Sequence, residues 1–326
     1  MIAAHVEGGR ASMDVVTIGE TMVLLTPGSV GPLRYVTKFE KTIGGAESNV
    51  AIALARLGHA AGWVSRLGDD EFGLYVRNFI RGEGVDTSRV VFDEQYPTAV
   101  FFKERQANNE PKVYYYRKGS AASQLSANDL DENYIAGAKF LHLTGITAAL
   151  SSSCRAMMER AIEIARANQL TVVFDPNIRL KLWSKEEARE ALMDISSRCD
   201  IVMPGIEEGE IMTGETEPEK IAARLLENGA KVVVLKLGEK GAFYATQESA
   251  EYVQGYPVHE IVDPIGAGDG FAAGFLSGLL RGWSLSKAVM LGNRVGAFAL
   301  SVVGDVEGYP FWNRIAPHDE RKEVLR

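Results

Sequence analysis

The chain has 326 residues, of which 46% are hydrophobic and 24% charged, as in ordinary soluble globular proteins. Its net charge of −8 argues against a nucleic-acid-binding surface. The two cysteines and five scattered histidines exclude a disulfide framework and a cysteine zinc site. No apolar run could span a bilayer and residues 1–12 lack a secretory core, so we expect a cytoplasmic protein. We also expect residues 1–12 to be a disordered extension, with Met13 as an alternative start.

Apolar β-branched runs alternate with helical patterns along most of the chain. The runs predicted to be buried strands are residues 15–18, 62–65, 140–143, 171–174, 201–203 and 231–235. The segments predicted to be helices are residues 46–57, 71–83, 152–168, 185–195 and 218–228. This alternation indicates an α/β fold with a parallel sheet covered on both faces. Ligands of such sheets bind beyond the carboxyl ends of the strands.

Two regions break this alternation and predict a second, smaller sheet. Residues 33–39, 99–104 and 112–117 alternate with period two, and the last two segments flank a polar turn at 106–111, which predicts a hairpin. A small sheet with one wet face, inserted in the main alternation, would form a lid. We therefore expect one catalytic domain, residues 13–326, with lid strands from about 22–43 and 96–118.

Two motifs could contact a substrate. Gly44 and Gly45 precede a predicted helix that carries Asn49, so backbone amides and Asn49 could bind sugar hydroxyls or could simply form a helix start. The loop that contains Asn177 and Arg179 follows a strand, where it could face a carboxylate or phosphate. An exposed, capped loop explains that segment equally well.

Three motifs in the second half could serve a nucleotide and its metal. Glu208, at a helix start, could hold Mg²⁺ through water or could only favour the helix dipole. Lys236 opens a turn with Gly238 and Gly241 that could pass under an adenosine or could be a plain hairpin. Asn293, on a helical stretch, could contact the edge of an adenine or merely pack.

The glycine-rich segment from Asp263 to Asp269 is the strongest motif in the sequence. It opens directly into an apolar helix, and exposed N–H groups at a helix start bind anions. Asp269 at this junction suits a base that deprotonates a hydroxyl beside a phosphate. The alternative is an ordinary strand–turn–helix joint in which Asp269 is only a helix N-terminal acid. A P-loop, a dinucleotide-binding fingerprint and a hydrolase nucleophile elbow are all absent from the sequence.

In this order the motifs resemble the ribokinase-like (PfkB) family of carbohydrate kinases, over about residues 14–315. The pair Gly44–Gly45 and the segment Asp263–Asp269 match the family's N-terminal and C-terminal signatures. The resemblance implies a three-layer α/β/α sandwich with a small β-sheet lid. It also implies that Asp269 is the general base and that the amides of Gly266, Ala267 and Gly268 form an anion hole for the phosphoryl group of ATP.

Within the family, the chain is most similar to the kinases of 2-keto-3-deoxygluconate. Residues 113–123, 140–147 and 304–308 carry this similarity. It implies sugar-acid contacts by Tyr115, Arg117 and Arg179, a further sugar contact by Asp305, and an aromatic lid position at Phe101.

The chain departs from the family at two positions. Family members usually carry Asn where this chain has Gly205, and Thr where it has Pro264. Glycine removes a side-chain contact near the metal, which a water would replace. The resemblance implies ATP and Mg²⁺, and it leaves a monovalent-cation requirement open.

The expected substrate is a sugar acid, because a buried carboxylate needs a paired cation and two arginines are suitable. A neutral sugar would leave Arg117 and Arg179 buried and unpaired under the closed lid. The expected product is 2-keto-3-deoxy-6-phosphogluconate. The alternatives are a kinase of the fructokinase or ribokinase type, or a catalytically silent sugar- or nucleotide-binding module. Exposed edges of the lid sheet favour a homo-oligomer that pairs through the lid.

Overall fold

The computed structural model describes residues 13–106 and 112–316. The expected disordered extension, residues 1–12, and most of the polar turn at 106–111 lie outside these ranges. No helix among the described residues combines the length and the apolar character needed to cross a membrane.

The large sheet has nine strands in the order β13-β12-β11-β10-β9-β8-β1-β4-β5. Its strands are β1 (Val15–Ile18), β4 (Ala61–Gly68), β5 (Asp86–Asp93), β8 (Phe140–Thr144), β9 (Thr171–Asp175), β10 (Ile201–Val202), β11 (Val232–Lys236), β12 (Ala242–Ala245) and β13 (Ala250–Val253). All neighbours from β11 to β5 pair parallel, whereas β12 and β13 add an antiparallel edge. The six predicted strands all lie in its parallel part.

Helices cover both faces of the large sheet. The helices are α1 (Ala46–Arg56), α2 (Glu71–Gly82), α3 (Glu132–Ala136), α4 (Gly145–Leu150), α5 (Ser152–Ala167), α6 (Lys185–Ser196), α7 (Ile206–Thr213), α8 (Pro218–Glu227), α9 (Ala267–Leu280), α10 (Leu285–Ala299) and α11 (Trp312–Ile315). Side chains of α1, α2, α9 and α10 pack with Val15 and Val173 in one apolar cluster, and those of α5, α6 and α8 pack with Val16 and Val172 in the other. Because successive strand residues point to opposite faces, these clusters form the two outer interfaces of a three-layer sandwich.

The small sheet has four strands in the order β3-β2-β6-β7. They are β2 (Met22–Pro27), β3 (Phe39–Gly44), β6 (Val100–Glu104) and β7 (Lys112–Tyr116), and β6 pairs antiparallel with β7 as the predicted hairpin requires. The strand predicted at residues 33–39 is wrong. Pro32 starts a 3₁₀ turn at Leu33–Tyr35, and the Leu33 N–H donates to Glu104 Oε2 at 3.0 Å.

Helix α9 begins differently from most of its neighbours. Helix α6 has a Ser184–Glu187 capping box and α2 is capped by Asp70, so side chains satisfy their first amides. The N-cap of α9 is Gly266, and no described side chain caps it. The first amides of α9 therefore have no side-chain cap among the described residues.

Candidate active site

A cavity of about 750 Å³ lies where the carboxyl ends of the parallel strands meet the small sheet. The predicted site residues on its wall are Gly44, Gly45, Asn49, Phe101, Tyr115, Arg117, Arg179, Glu208, Lys236, Gly266, Gly268, Asp269 and Asp305. Motifs as far apart in sequence as Gly44 and Asp305 therefore meet at the edge of the sheet that α/β topology favours for ligands.

Asp269 lies in the first turn of α9 and is buried. Asn49 Nδ2 donates to its Oδ2 at 2.8 Å, and Asn177 Nδ2 approaches its Oδ1 at 3.4 Å. Burial raises the pKa of Asp269 to about 7, against the opposing effect of the Asn49 hydrogen bond. A carboxyl group with this pKa can exchange a proton near neutral pH, as a general base must.

The turn before α9 has its conformational constraint at Gly266. Gly266 has φ 80°, and a Cβ there would lie 2.1 Å from the carbonyl oxygen of Asp305, so only glycine fits. At Gly268, by contrast, φ is not positive, and a Cβ would meet only Lys236 Nζ at 3.7 Å. Ala267 is not among the residues that line the cavity. Gly266 thus shapes the turn, whereas Gly268 leaves room above the helix start.

Lys236 faces the start of α9 from the end of β11. Its Nζ donates to Asp175 Oδ2 at 2.6 Å. Burial opposes the charged form, but the carboxylates of Asp175 and Glu208 outweigh it and raise the pKa of Lys236. The cavity therefore holds a permanent ammonium group beside the uncapped helix start, a suitable pair of partners for a phosphate.

The start of α1 forms a second wall of the cavity, beside the Asp305 carboxylate. A Cβ at Gly44 would lie 2.7 Å from Asp305 Oδ2, and one at Gly45 would lie 2.4 Å from the carbonyl oxygen of Glu20. Both glycines therefore allow close packing. Asp305 is buried, which raises its pKa to about 7 despite the neighbouring ammonium of Lys103. Hydrogen-bond acceptors thus line this wall.

The inner face of the small sheet supplies stacked aromatic rings and a paired arginine. Phe101 and Tyr115 stack with ring centroids 5.6 Å apart, and the Arg117 guanidinium lies 5.5 Å from the Tyr115 ring. Arg117 forms an ion pair with the buried carboxylate of Glu20, whose Oε1 also accepts from Ser120 Oγ at 2.8 Å. The expectation that Arg117 is unpaired without a substrate carboxylate is therefore wrong, because Glu20 already balances its charge.

The loop after β9 presents Asn177 and Arg179 to the cavity. Asn177 has φ 39°, an uncommon conformation that asparagine tolerates, and it turns the chain toward Asp269. Arg179 was expected to be buried under the lid, but it is exposed. Its Nη1 donates to the Ile178 carbonyl at 3.3 Å. Arg179 is therefore a cation on the wall that can turn toward a ligand.

Gly238, Gly241 and Asn293 are not among the residues that line this cavity. Gly238 and Gly241 have φ of 62° and 95° and connect the antiparallel strands β11 and β12, as in the hairpin alternative. Asn293 Nδ2 donates to the carbonyl groups of Val253 and Gln254 at 3.3 and 3.0 Å. An adenosine contact by these residues stays a prediction.

Glu208 uses both carboxylate oxygens to hold the backbone. Its Oε2 accepts from the Gly205 N–H at 2.7 Å, and its Oε1 accepts from the Ile178 N–H at 2.8 Å. Among residues 13–106 and 112–316, no group of three or more His, Cys, Asp or Glu side chains is placed to hold a metal ion. The described residues therefore provide no protein cage for Mg²⁺, which commonly keeps several waters and binds through phosphate oxygens.

Sequence reasoning missed two buried glutamates on the cavity wall, Glu20 and Glu47. Glu47 Oε1 accepts from the hydroxyl groups of Thr144 and Thr147 at 2.7 Å each, and burial raises the pKa of Glu47. The only local signal for these glutamates was the glycine near each of them in space. Gly19 lies close to the Glu47 carboxyl group, and Gly45 lies close to the Glu20 backbone oxygen.

Comparison with known proteins identifies the family. The sequence profile described as pfkB family carbohydrate kinase matches residues 12–312. The chain belongs to this family. It is 40% identical to 2-dehydro-3-deoxygluconokinase from Bacillus subtilis (strain 168) over 306 residues, which cover 93% of this chain and 94% of that protein.

Solved structures agree with this assignment. The 2-dehydro-3-deoxygluconokinase from Thermotoga maritima matches with a TM-score of 0.85 at 29% identity, over 92% of this chain and 96% of that one. Fructokinase from Vibrio cholerae O395, solved with fructose, ADP and calcium, matches with a TM-score of 0.82 at 29% identity, over the same shares. The protein is thus an ATP-dependent carbohydrate kinase, and the expected ribokinase-like fold is confirmed.

Proposed function

We propose that this kinase transfers the γ-phosphoryl group of ATP to the primary hydroxyl of 2-keto-3-deoxygluconate (2-dehydro-3-deoxygluconate). One observation supports the proposed phosphoryl transfer: Asp269, with a pKa near 7, lies in the first turn of the uncapped helix α9. A base for a hydroxyl and donors for a phosphate within one helical turn are what phosphoryl transfer needs. The 2-dehydro-3-deoxygluconokinase relatives support the substrate.

Asp269 accepts the proton of the attacking hydroxyl in this proposal. The freed oxygen forms a bond to the γ-phosphorus while the bond to the bridging oxygen of ADP breaks, and the proton stays on Asp269 until the product leaves. Asn49 fixes the carboxylate through its 2.8 Å hydrogen bond and Asn177 faces the other oxygen. Both asparagines therefore orient the base.

The transferred phosphoryl group is held by the α9 amides at Gly266–Gly268 and by Lys236. Amide donors in a buried site stabilise charge that develops on the phosphoryl oxygens. When bound, Mg²⁺ neutralises phosphate charge, and Glu208 could be reached only through its water shell. The adenosine is assigned to Gly238, Gly241 and Asn293. Of these, Gly241 and Asn293 both lie against residues 253–255, outside the cavity.

We assign the substrate carboxylate to Arg179, with Tyr115 stacked below the sugar acid. Arg179 is exposed at the cavity wall, whereas Arg117 is already balanced by Glu20. Arg117 then orients the Tyr115 ring and donates to sugar oxygens rather than neutralising a carboxylate. Phe101 and Asp305 complete the sugar-binding wall in this proposal.

A fructokinase-type activity is the second candidate. The Glu20–Arg117 pair leaves one of the two expected arginines for a carboxylate, and the matching Vibrio fructokinase was solved with fructose. Initial rates with 2-keto-3-deoxygluconate, fructose and ribose at matched ATP and Mg²⁺ decide between them. We expect kcat/KM for the sugar acid to be at least about 10²-fold higher, or roughly 2.7 kcal/mol of differential binding. Equal efficiency with fructose would leave a sugar kinase but reject the substrate assignment.

We also propose that the protein forms a homo-oligomer through the outer face of the small sheet. Phe39, Phe102 and Tyr116 form edge-on ring contacts there, and Tyr116 is 66% exposed. Light scattering should show an oligomer that Tyr116→Ser weakens, while Tyr252→Ser, at a similarly exposed site on β13, does not. A monomeric wild-type protein would reject this interface.

A further inference from the structure

Lys103 lies on the inner face of β6 and is buried with its charge. Alternation along the strand places Lys103 on the same face as Phe101, which lines the cavity. Its side chain is 6% exposed, and its ammonium forms an ion pair with Asp263, which is also 6% exposed. The pair joins residues 160 positions apart. It links the small sheet to the first residue of the Asp263–Asp269 turn.

The Asp263 carboxylate connects two loops of the proposed phosphate site. Its Oδ1 accepts from the Ile265 N–H at 3.2 Å, inside the turn before α9. Its Oδ2 accepts from the Gly304 N–H at 3.3 Å, in the loop that carries Asp305. The same two loops touch where Gly266 meets the Asp305 carbonyl. One carboxylate thus sets the distance between the anion-binding turn and a sugar-binding residue.

The ammonium group is the main restraint on this carboxylate. The two amide contacts, at 3.2 and 3.3 Å, lie at or just beyond the upper end of the usual N–H···O range, and the ammonium adds a full opposite charge that an amide dipole does not have. A buried carboxylate without a paired cation takes up a proton or turns toward water. Removal of the Lys103 charge would therefore release both loops, although Lys103 itself touches neither the Gly266–Gly268 amides nor Asp269.

We propose that Lys103 is a positioning residue for phosphoryl transfer, which acts through Asp263 on the Gly266–Gly268 turn and on the Asp305 loop. The proposal rests on the proposed anion-binding role of that turn. A displacement of about 1 Å at reacting groups can cost about 10²-fold in rate. Because β6 belongs to the small sheet, the same ion pair makes the phosphate site depend on the placement of that sheet.

The test compares Lys103→Met, Lys103→Arg and the double variant Lys103→Met/Asp263→Asn with wild type. We expect Lys103→Met to lower kcat about 10- to 100-fold and to raise the KM for the sugar by less, because Asp305 is only one of several proposed sugar contacts. Lys103→Arg should keep most of kcat. Lys112→Met, an exposed lysine on β7 of the same sheet, serves as the matched control and should behave as wild type.

The double variant separates positioning from stability. It removes the unpaired buried charge, so its urea midpoint should return toward wild type. Its kcat should stay low, because the Asp263 anchor no longer binds an ammonium. Wild-type kcat in Lys103→Met, or recovery of kcat together with the urea midpoint in the double variant, would overturn the proposal. If Lys103→Met does not fold, the arginine and double variants still give this comparison.

Failure of the proposed function is recognised separately. All variants are assayed with the sugar that the wild-type protein phosphorylates best. If the wild-type protein prefers a neutral sugar, the substrate assignment is rejected, but the Lys103 variants can still be compared with wild type. Wild-type kcat in Asp269→Asn would reject the base, again without changing the comparison at Lys103.

Discussion

Replacement of Asp269 by asparagine should have opposite effects on activity and on stability. The change keeps the shape of the side chain and an oxygen that accepts from Asn49, and it removes a buried charge. Loss of a general base typically costs about 10²–10⁴-fold in rate. We expect kcat to fall within that range while the affinity for ATP is nearly kept.

The stability effect follows from the pKa of Asp269 in the folded protein. Burial raises this pKa to about 7 from an ordinary value of 3.8. Because the folded state binds the proton more tightly, the free energy of unfolding decreases as pH rises from about 4 to about 7, and the full cost is present above 7. A pKa difference of roughly 3 corresponds to about 4 kcal/mol, which is the upper limit of the expected gain. We expect Asp269→Asn to be more stable than wild type by about 1–4 kcal/mol at pH 8.

Urea unfolding at pH 8 and pH 5.5 measures this gain. The advantage of the variant should be about half as large at pH 5.5, where the wild-type folded carboxyl is mostly protonated. Asp69→Asn, at an exposed aspartate, is the control for the loss of one carboxylate from the protein. In wild type, kcat/KM should decrease below about pH 7 as Asp269 takes up its proton. If Asp269→Asn and wild type are equally stable at each of the two pH values, burial does not raise this pKa. A wild-type kcat/KM that stays constant down to pH 5 would lead to the same conclusion.

The other predictions concern the turn and the two arginines. Gly268→Val should fold with near wild-type stability and lose phosphoryl transfer, because its side chain enters the space beside Lys236. Gly266→Ala should lose both phosphoryl transfer and stability. Measurements of the urea midpoint and of kcat distinguish the two variants. Normal turnover in Gly268→Val would reject the anion hole. Arg179→Ala should raise the KM for the sugar acid about 10- to 150-fold, the value of one charge-assisted hydrogen bond, with the KM for ATP unchanged. Arg117→Ala should instead lower the urea midpoint, because the Glu20 carboxylate remains buried without its cation; a wild-type midpoint would contradict this.

The parts of the fold that were predictable have a strong local signal. The runs at 15–18 and 171–174 are apolar apart from one threonine each because both faces of their strands are covered, and the structure has β1 and β9 there. Residues 33–39 alternate in polarity by coincidence, since Pro32 and the Glu104 contact impose a turn. Strand β2 was not singled out, because its residues do not alternate between buried and exposed positions.

The site was predictable where glycines mark close backbone approach. The Gly44–Gly45 pair and the Asp263–Asp269 turn both reach the cavity, since motifs of this kind need only neighbouring residues. The pairing of Arg117 with Glu20 and of Lys103 with Asp263 depends on contacts between distant segments. The sequence could therefore identify charged residues as candidates for ligand binding. It could not show which of these residues already form an ion pair within the protein.

The positions of the buried carboxylates and of Arg179 on the cavity wall favour one orientation of the proposed substrate. The buried carboxylates of Asp269 and Asp305 accept hydrogen bonds from hydroxyl groups, but they would repel the carboxylate of a sugar acid. Arg179, the exposed cation on the wall, attracts it instead. In the proposed complex the hydroxyl end of the substrate therefore lies toward α9, at the proposed phosphate site, and the acid end lies toward the loop after β9. A substrate bound in reverse would place two carboxyl groups together in a buried site and leave Arg179 without its partner. Lys236 does not offset this cost in the proposal, because it is paired with Asp175 and serves the phosphate.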